Sequence, residues 1–320
     1  MLDVRRLRVL REVALRGTIA AAAESLHLTG PAVSQQLAAL ERESGATLVE
    51  RDGRSVRLTA AARTLVAHTE TILAQLEAAE ADLAAGEGRF GGELRLAAFP
   101  TFAVLLGPLV RELTRAMPSV RVGVRELEPE ESIAAVRVGD VDLAVAHEYE
   151  HVPRRAEDAV SRVQLLREPL LLALAAHHPL AGGPVALRDL ADDPGWIAPR
   201  IGLTCHEEVR RMCAAAGFEP RVASYAYSYD VTLALVAAGG VALVPRLALR
   251  DPPDGVVVTA PTDVSGWRRS FAAVRRGSAH RPSIALALSL LSELTAEAVG
   301  DDAAGQRSGR KNARSSPTSS

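Results

Sequence analysis

Residues 25–41, SLHLTGPAVSQQLAALE, hold almost no charge, turn at a Gly30-Pro31 pair and set Ser34, Gln35 and Gln36 side by side. The pattern predicts a helix. Thr29 is placed to cap it, and Pro31 fits a first turn, where a missing N–H costs nothing. Val33, Leu37 and Leu40 recur at i, i+4 and i+7 and should face a core. Pro31, Ser34, Gln35, Ala38 and Arg42 then share the outward face. A helix that turns uncharged donors and acceptors outward, in a chain where arginines lie on both sides of it, is suited to meet a surface that carries hydrogen-bonding groups of its own.

Upstream, Leu7, Leu10, Val13 and Ala14 share one helical face that Gly17 ends, and Thr18 caps a second short helix with Ala22, Ala23 and Leu26 inward. Downstream, ATLVERDGRSVRLT contains two β-like runs around Asp52-Gly53, a pair that favours a tight hairpin, with Arg51, Arg54 and Arg57 clustered on it. From Thr59 to about Ala85 neither Gly nor Pro interrupts, and Ala62, Leu65, Thr69, Ile72, Leu76, Ala79 and Leu83 alternate spacings of three and four. That seam suits a helix paired with a copy of itself; the alternative is a long helix packed on its own domain. GEGRFGG, residues 86–92, matches the dinucleotide fingerprint as a string, but a helix precedes it and a strand follows, the reverse of what that fold requires. It reads as a linker.

Beyond it, strand and helix alternate. Leu94–Ala98, Val120–Val124, Asp142–Ala146, Leu170–Ala175, Trp196–Ala198, Val241–Val244 and Val256–Thr259 read as strands, implying mainly parallel sheets with helices on both faces. In such sheets ligands bind beyond the strand carboxyl ends. Residues 301–320, rich in Ser, Gly and Arg without periodicity, read as a disordered tail.

Composition narrows the function. A formal net charge of -2 leaves any nucleic-acid surface local. The one lysine, Lys311, lies in the tail, which excludes Schiff-base chemistry and a Walker-type phosphate loop in the folded part. Cys205 and Cys213 are too few for a disulfide framework, and no charged-then-apolar signal opens the chain, so the expected location is cytoplasmic. The longest late apolar run, Ile284 to Leu291, is broken by Ser292 and Glu293 well short of the roughly 20 residues of a membrane span.

The block GTIAAAAESLHLTGPAVSQQLAALERESGATLVERDGRSVRLT, with GELRLAAFPTFAVLLGPLVRELTRAMPSVRV, GDVDLAVA and LVAAGGVALVP in the same order, resembles the LysR-type transcriptional regulators over residues 1 to about 300. The resemblance implies an α/β protein overall: a winged helix-turn-helix DNA-binding domain at 1–58, a dimerising linker helix at 59–86 and an effector domain at 87–300. That domain would have two α/β lobes like those of periplasmic solute-binding proteins, lobe I at about 92–163 and 263–300 and lobe II at about 164–262. It implies double-stranded operator DNA, a small-molecule effector between the lobes and a homodimer that doubles into a tetramer as partners, with no cofactor and no catalytic residue.

On that reading Ser34 and Gln35 sit where the family places base-contacting side chains, Pro31 and Ala38 offer apolar surface to a thymine methyl, Thr29 meets a phosphate, and Arg51, Arg54 and Arg57 bind backbone or enter the adjacent minor groove. Two departures bear on specificity. Gly30 stands where the family commonly has glutamine, removing a contact worth about 1 to 3 kcal/mol, and Gln35 stands where arginine is frequent, which shifts preference from guanine toward adenine. In the effector domain Thr101 and Phe102 open a helix after the first strand, TCHE at 204–207 reads as a capping box, and Asp230 could cap a third helix, with Tyr229 just before it. Converging helix N-termini favour an anion, so a small carboxylate leads. Glu128 and His147 lie past strand ends, and Phe102, Trp196, Tyr225, Tyr227 and Tyr229 could line an apolar pocket. An amine-bearing or neutral effector stays open, because an acid at the cleft repels a carboxylate.

Two rival classes stand beside this one. Cys205 and His206 are adjacent, and neighbours on a helix point about 100° apart, so they make no dyad alone; with Cys213 they hint at a metal sensor, though the spacing fits no usual zinc pattern. A cytoplasmic small-molecule-binding or metal-sensing protein with an accessory helical domain is the other.

Overall fold

The computed structural model describes residues 1–52, 55–86, 92–153, 160–250 and 252–312, with the backbone alone for 51, 52, 55, 74, 77, 78, 80–86 and 299–312. The N-terminal part runs α1 (Val4–Arg16), α2 (Ile19–Ser25), α3 (Gly30–Ser44), β1 (Val49–Asp52), β2 (Ser55–Leu58) and α4 (Ala60–Gly86). Local chemistry sets each boundary. Asp3 Oδ1 accepts from Arg5 N, Thr18 Oγ1 from Ala21 N and Thr29 Oγ1 from Ala32 N, and Gly17 ends α1 in the left-handed region at φ 71°. Leu7, Leu10, Val13, Ala22, Val33, Leu37, Leu40 and Leu48 close one core under the three helices. The antiparallel β1–β2 pair is fastened to α3 by Glu41, whose Oε1 accepts from Leu48 N at 2.7 Å and Val49 N at 3.2 Å.

The expected seam of α4 divides. Ala62 and Thr69 are fully buried and Leu65 packs on the N-terminal core, so this half serves its own domain. Ile72 and Leu76 are exposed, and the side chain of Leu83 lies outside the described residues. Between α1 and α4 lies a buried charge cluster: Arg11 Nε donates to Glu70 Oε1 at 2.7 Å and Arg11 Nη1 to Glu12 Oε1 at 3.2 Å. Its Nη2 donates to the carbonyl of Arg137 at 3.2 Å, in the second half of the chain.

That half contains β3 (Gly92–Ala98), α5 (Ala103–Ala116), β4 (Val120–Glu126), α6 (Pro129–Val138), β5 (Leu143–Tyr149), β6 (Val160–Ala175), β7 (Trp196–Pro199), α7 (Thr204–Ala215), β8 (Val222–Ala226), α8 (Tyr229–Ala237), β9 (Val241–Pro245), β10 (Val256–Thr259), β11 (Trp267–Arg275) and α9 (Pro282–Asn312). The strands join in the order β4-β3-β5-β11-β6-β9-β7-β8, with β10 also on β6. Leu94, Leu96, Leu143 and Val145 pack with Leu105 and Leu109 of α5 and Ile284 and Leu291 of α9; Leu172, Leu174, Val241 and Leu243 pack with Trp196 and Met212 in a second lobe.

Three expectations change. The sheets are mixed rather than mainly parallel: β3 pairs in parallel with β4 and β5, and β7 with β8 and β9, but every pairing of β6 and β11 is antiparallel. The reason is topological. β6 carries the chain from one lobe to the other and β11 brings it back beside it, so the two crossings run in opposite directions. Next, β6 begins ten residues before the apolar run at Leu170, and β8 and β11 have no counterpart among the expected strands. The early part of β6 and β11 mix charged and apolar residues, and β8, VASYA, is short with small and polar residues, all weaker signals than a continuous apolar run. Finally, the segment expected to be a disordered tail is helical through Asn312, carried on from α9 by good helix formers such as Ala and Gln; 313–320 lie outside the described residues.

The Arg11 cluster makes a stability prediction. Glu70→Ala leaves a buried guanidinium short of its main partner and should destabilise the N-terminal domain by about 3 kcal/mol, read as a lower denaturant midpoint with an unchanged slope; Arg11→Met combined with Glu70→Leu should recover most of the loss.

Candidate functional site

The outward face of α3 is composed as expected. Pro31, Gln35 and Arg42 are exposed or half-buried along it, and Ser34 and Ala38 are half-buried at its edge. The side chains of Ser34 and Gln35 hydrogen-bond to no other described residue, whereas Gln36 is spent on α1, its Oε1 accepting from Arg6 Nε at 3.2 Å. Thr29 is exposed; its oxygen caps α3, which leaves the O–H free to donate. On the hairpin Arg57 projects into solvent but is paired with Glu50 at 2.6 Å, so its charge is partly matched. The side chains of Arg51 and Arg54 lie outside the described residues.

A second site lies between the two lobes. A cavity of about 30 Å³ is lined by Thr101, Glu128, His147 and Arg268 from one lobe and by Cys205, Ser228 and Tyr229 from the other. A wider groove of about 810 Å³ shares His147, Tyr149 and Leu203 with it. Helix starts converge here. The turn at Pro100–Phe102 and helices α6 and α7 all open at the cavity without a side-chain cap; Pro100 and Pro129 bring no N–H and Phe102 N donates to the Phe99 carbonyl, so fewer backbone donors are open here than three helix starts would give. α8 is capped by Ser228 Oγ, accepting from Val231 N at 3.4 Å.

Arg268 anchors the floor. It is 1% exposed, opposite Tyr149 across β5–β11 and Glu168 across β11–β6. Its Nε donates to Glu168 Oε1 at 2.9 Å and its Nη1 to Thr101 Oγ1 at 2.8 Å, while the guanidinium lies 4.9 Å from the centre of the Phe99 ring. Burial works against its charge, but Glu168 beside it prevails and holds its pKa above the usual value. Nη2 lies 2.8 Å from the same Glu168 oxygen without the alignment of a hydrogen bond. His147 packs edge-on between Phe99 and Tyr149; burial, then the charge of Arg268, pushes its pKa well below the usual range, so the ring is neutral, and Nδ1 has no partner. Glu128 is half-buried, and its carboxylate makes no hydrogen bond or ion pair with another described residue; burial first, then Glu130, Glu131 and Glu126, raise its pKa.

Of the expected effector residues, Thr101, Glu128, His147 and Tyr229 meet at this cavity. Phe102 does not: it is fully buried in the first lobe's core against Phe99, because successive residues of a 3-10 turn point about 120° apart and Thr101 takes the cleft side. Thr204 lines the wider groove and caps nothing; Leu203 is the N-cap, and Glu207 turns to Arg210 and Arg211 instead of closing a capping box. Asp230 is exposed in the first turn of α8, so the acid facing the cleft is Glu128. Trp196 is core, and Tyr225 is exposed. Sequence reasoning missed Arg268, Glu168, Tyr149 and Phe99. The available signal was a charge set in an apolar strand, as in LREPLLLALA and WRRSFAAV. Cys205 lines the cavity with its thiol pushed up to about 12 by burial, and His206 Nδ1 is 2.9 Å from the carbonyl of Pro199, so the two form no dyad. Among the described residues no three His, Cys, Asp or Glu side chains are grouped to hold a metal, and no helix is long and apolar enough to cross a membrane.

Residues 4–63 match the family model for the bacterial regulatory helix-turn-helix proteins of the lysR family, and 87–296 match that for the LysR substrate binding domain. The chain belongs to the LysR family. It is 31% identical over 253 residues to the HTH-type transcriptional regulator AlsR of Bacillus subtilis, covering 77% of this chain and 82% of that one. It is 32% identical over 282 residues to the small neutral protease regulatory protein of Streptomyces coelicolor, covering 86% and 83%. Among solved structures, a single-site mutant of Corynebacterium glutamicum OxyR, bound to hydrogen peroxide, matches with a TM-score of 0.56 at 26% identity, covering 96% of this chain and 98% of that one. As a LysR-type transcriptional regulator the protein binds DNA, and its second half is the effector-binding domain.

In this LysR-type regulator Glu128 carries a pH signature. Because the folded state raises the Glu128 pKa, its ionised form costs stability above that pKa and the cost vanishes below the unfolded value. Glu128→Gln should therefore melt above the wild type near about pH 7, and the two curves should converge toward about pH 4.

Proposed function

We propose that this LysR-type regulator reads its operator through Pro31, Ser34, Gln35 and Ala38 of α3 in the major groove, while Thr29 and Arg51, Arg54 and Arg57 hold the phosphate backbone. Polar groups left unpaired are free to pair with bases, and among the described residues the side chains of Ser34 and Gln35 have no partner while Gln36 does. The organisation we assign is a DNA-binding domain to residue 58, a linker helix at 59–86 and two lobes beyond. The exposed Ile72 and Leu76 supply the face on which α4 pairs with a second copy, and dimers of that kind can double into tetramers. The protein works in the cytoplasm and has no catalytic residue.

The effector we assign to the cleft carries a carboxylate. The observation behind this is the fully buried Arg268, which holds the Thr101 hydroxyl at a cavity onto which α6 and α7 open without side-chain caps. Such donors favour an anion that can use all of them at once. A peroxide sensor in the manner of the OxyR structure is a weaker reading here, since a thiol whose pKa is pushed up to about 12 supplies little thiolate at neutral pH.

Selections on a randomised half-site test the reading head. Gln35→Ala should relax base preference at one position per half-site, whereas Arg54→Ala should weaken all sequences alike and lower the salt slope by about one unit; unchanged selectivity in the Gln35 variant would remove it from the interface. Sedimentation tests the helix pairing: Leu76→Glu should shift the assembly toward monomer.

A further inference from the structure

The carboxylate reading leaves one group unexplained. Glu128 lines the same cavity as Arg268 and its carboxylate has no partner among the described residues, although Arg268 is near enough to act on its charge. The charge of Arg268 is already matched by Glu168, so Glu128 stands as a surplus negative charge in the cavity. A bare carboxylate would be repelled by it, and a bare amine would meet the guanidinium. Aromatic residues share the cavity with the acid: Phe99, Tyr149, Tyr227 and Tyr229 all line it. A carboxylate beside aromatic rings is the arrangement that receives an ammonium group. Two buried polar atoms of cavity-lining side chains, His147 Nδ1 and Arg268 Nη2, still lack a hydrogen-bond partner.

We propose that the effector presents an α-amino acid head group, its carboxylate received at Arg268 and Thr101 and its ammonium at Glu128. The inference rests on the cleft being the effector site. Both poles line one cavity, with Arg268 near enough to act on the Glu128 charge, which suits charges carried on a single carbon rather than at the ends of a long chain, and the adjoining groove of about 810 Å³ receives the side chain. The ammonium pairs with Glu128 while the carboxylate takes the donors of Arg268 and Thr101, so each pole meets a complementary group and the net charge of the site is unchanged.

The test is calorimetry on the full chain with the proteinogenic amino acids, each paired with the carboxylic acid that lacks its amino group. At least one amino acid should bind, its des-amino partner about tenfold or more weakly. Glu128→Gln should weaken the amino acid by about tenfold and leave the des-amino acid unchanged or tighter. The proposal is overturned if des-amino acids bind as well as amino acids, if Glu128→Gln changes nothing, or if no compound of the panel binds. His147→Trp and, from the other lobe, Leu203→Trp fill the cavity and separate this failure from that of the cleft reading. Amino-acid binding that survives both, in variants with a normal melting transition, places the ligand elsewhere and sinks both claims. Des-amino acids that bind wild type and Glu128→Gln alike but are lost in the tryptophan variants keep the cleft and remove the head group.

Discussion

The ion pair between Arg268 and Glu168 sits where the chain crosses between lobes, on the two long strands that run side by side in opposite directions. It organises its surroundings through a few direct contacts. The guanidinium fixes the Thr101 hydroxyl and faces Phe99, and the second oxygen of Glu168 accepts from Leu247 N at 2.6 Å. Stability does not account for it. Apolar residues of similar volume hold a sheet as well as a buried pair or better, while removing one partner costs about 3–5 kcal/mol. What such a pair supplies is a fixed charge pattern at the bottom of a cleft, where burial first and the guanidinium second keep His147 neutral and Glu128 has no partner among the described residues.

A second buried pair does comparable work at the other end of the molecule. Arg11 and Glu70 join the first helix of the DNA-binding domain to the linker helix, and the same guanidinium reaches the carbonyl of Arg137. That carbonyl lies in the last turn of α6, the helix whose opposite end carries Glu128 at the cleft. One ten-residue helix therefore touches the cavity between the lobes at its start and the DNA-binding domain at its finish. A helix is stiff over that length, so the two sites are joined by a rigid element rather than by a loop.

The N-terminal domain was legible almost residue by residue. Its helices are short, its caps are Thr18 and Thr29, its stop is Gly17, and each of these signals acts within a few residues of the place it governs. The cleft was legible only in part. Thr101, Glu128, His147 and Tyr229 follow strands or open helices and could be named from position, yet Phe102 was misassigned because the facing of two neighbours in a tight turn depends on the turn's geometry. Arg268 and Glu168 lie a hundred residues apart and interact only because β11 is inserted between β5 and β6. No periodicity in either segment announces that insertion.

The sequence by itself determined the family, the reading head with its outward polar face, and the alternation that makes the second half α/β, because those depend on local spacing and on chemistry within one element. Tertiary structure alone decided which strands are antiparallel, which charges are paired, and which acid is left over in the cleft. Pairing and burial are properties of residues brought together from distant segments, and the cost of an unmatched charge exists only once water has been excluded around it.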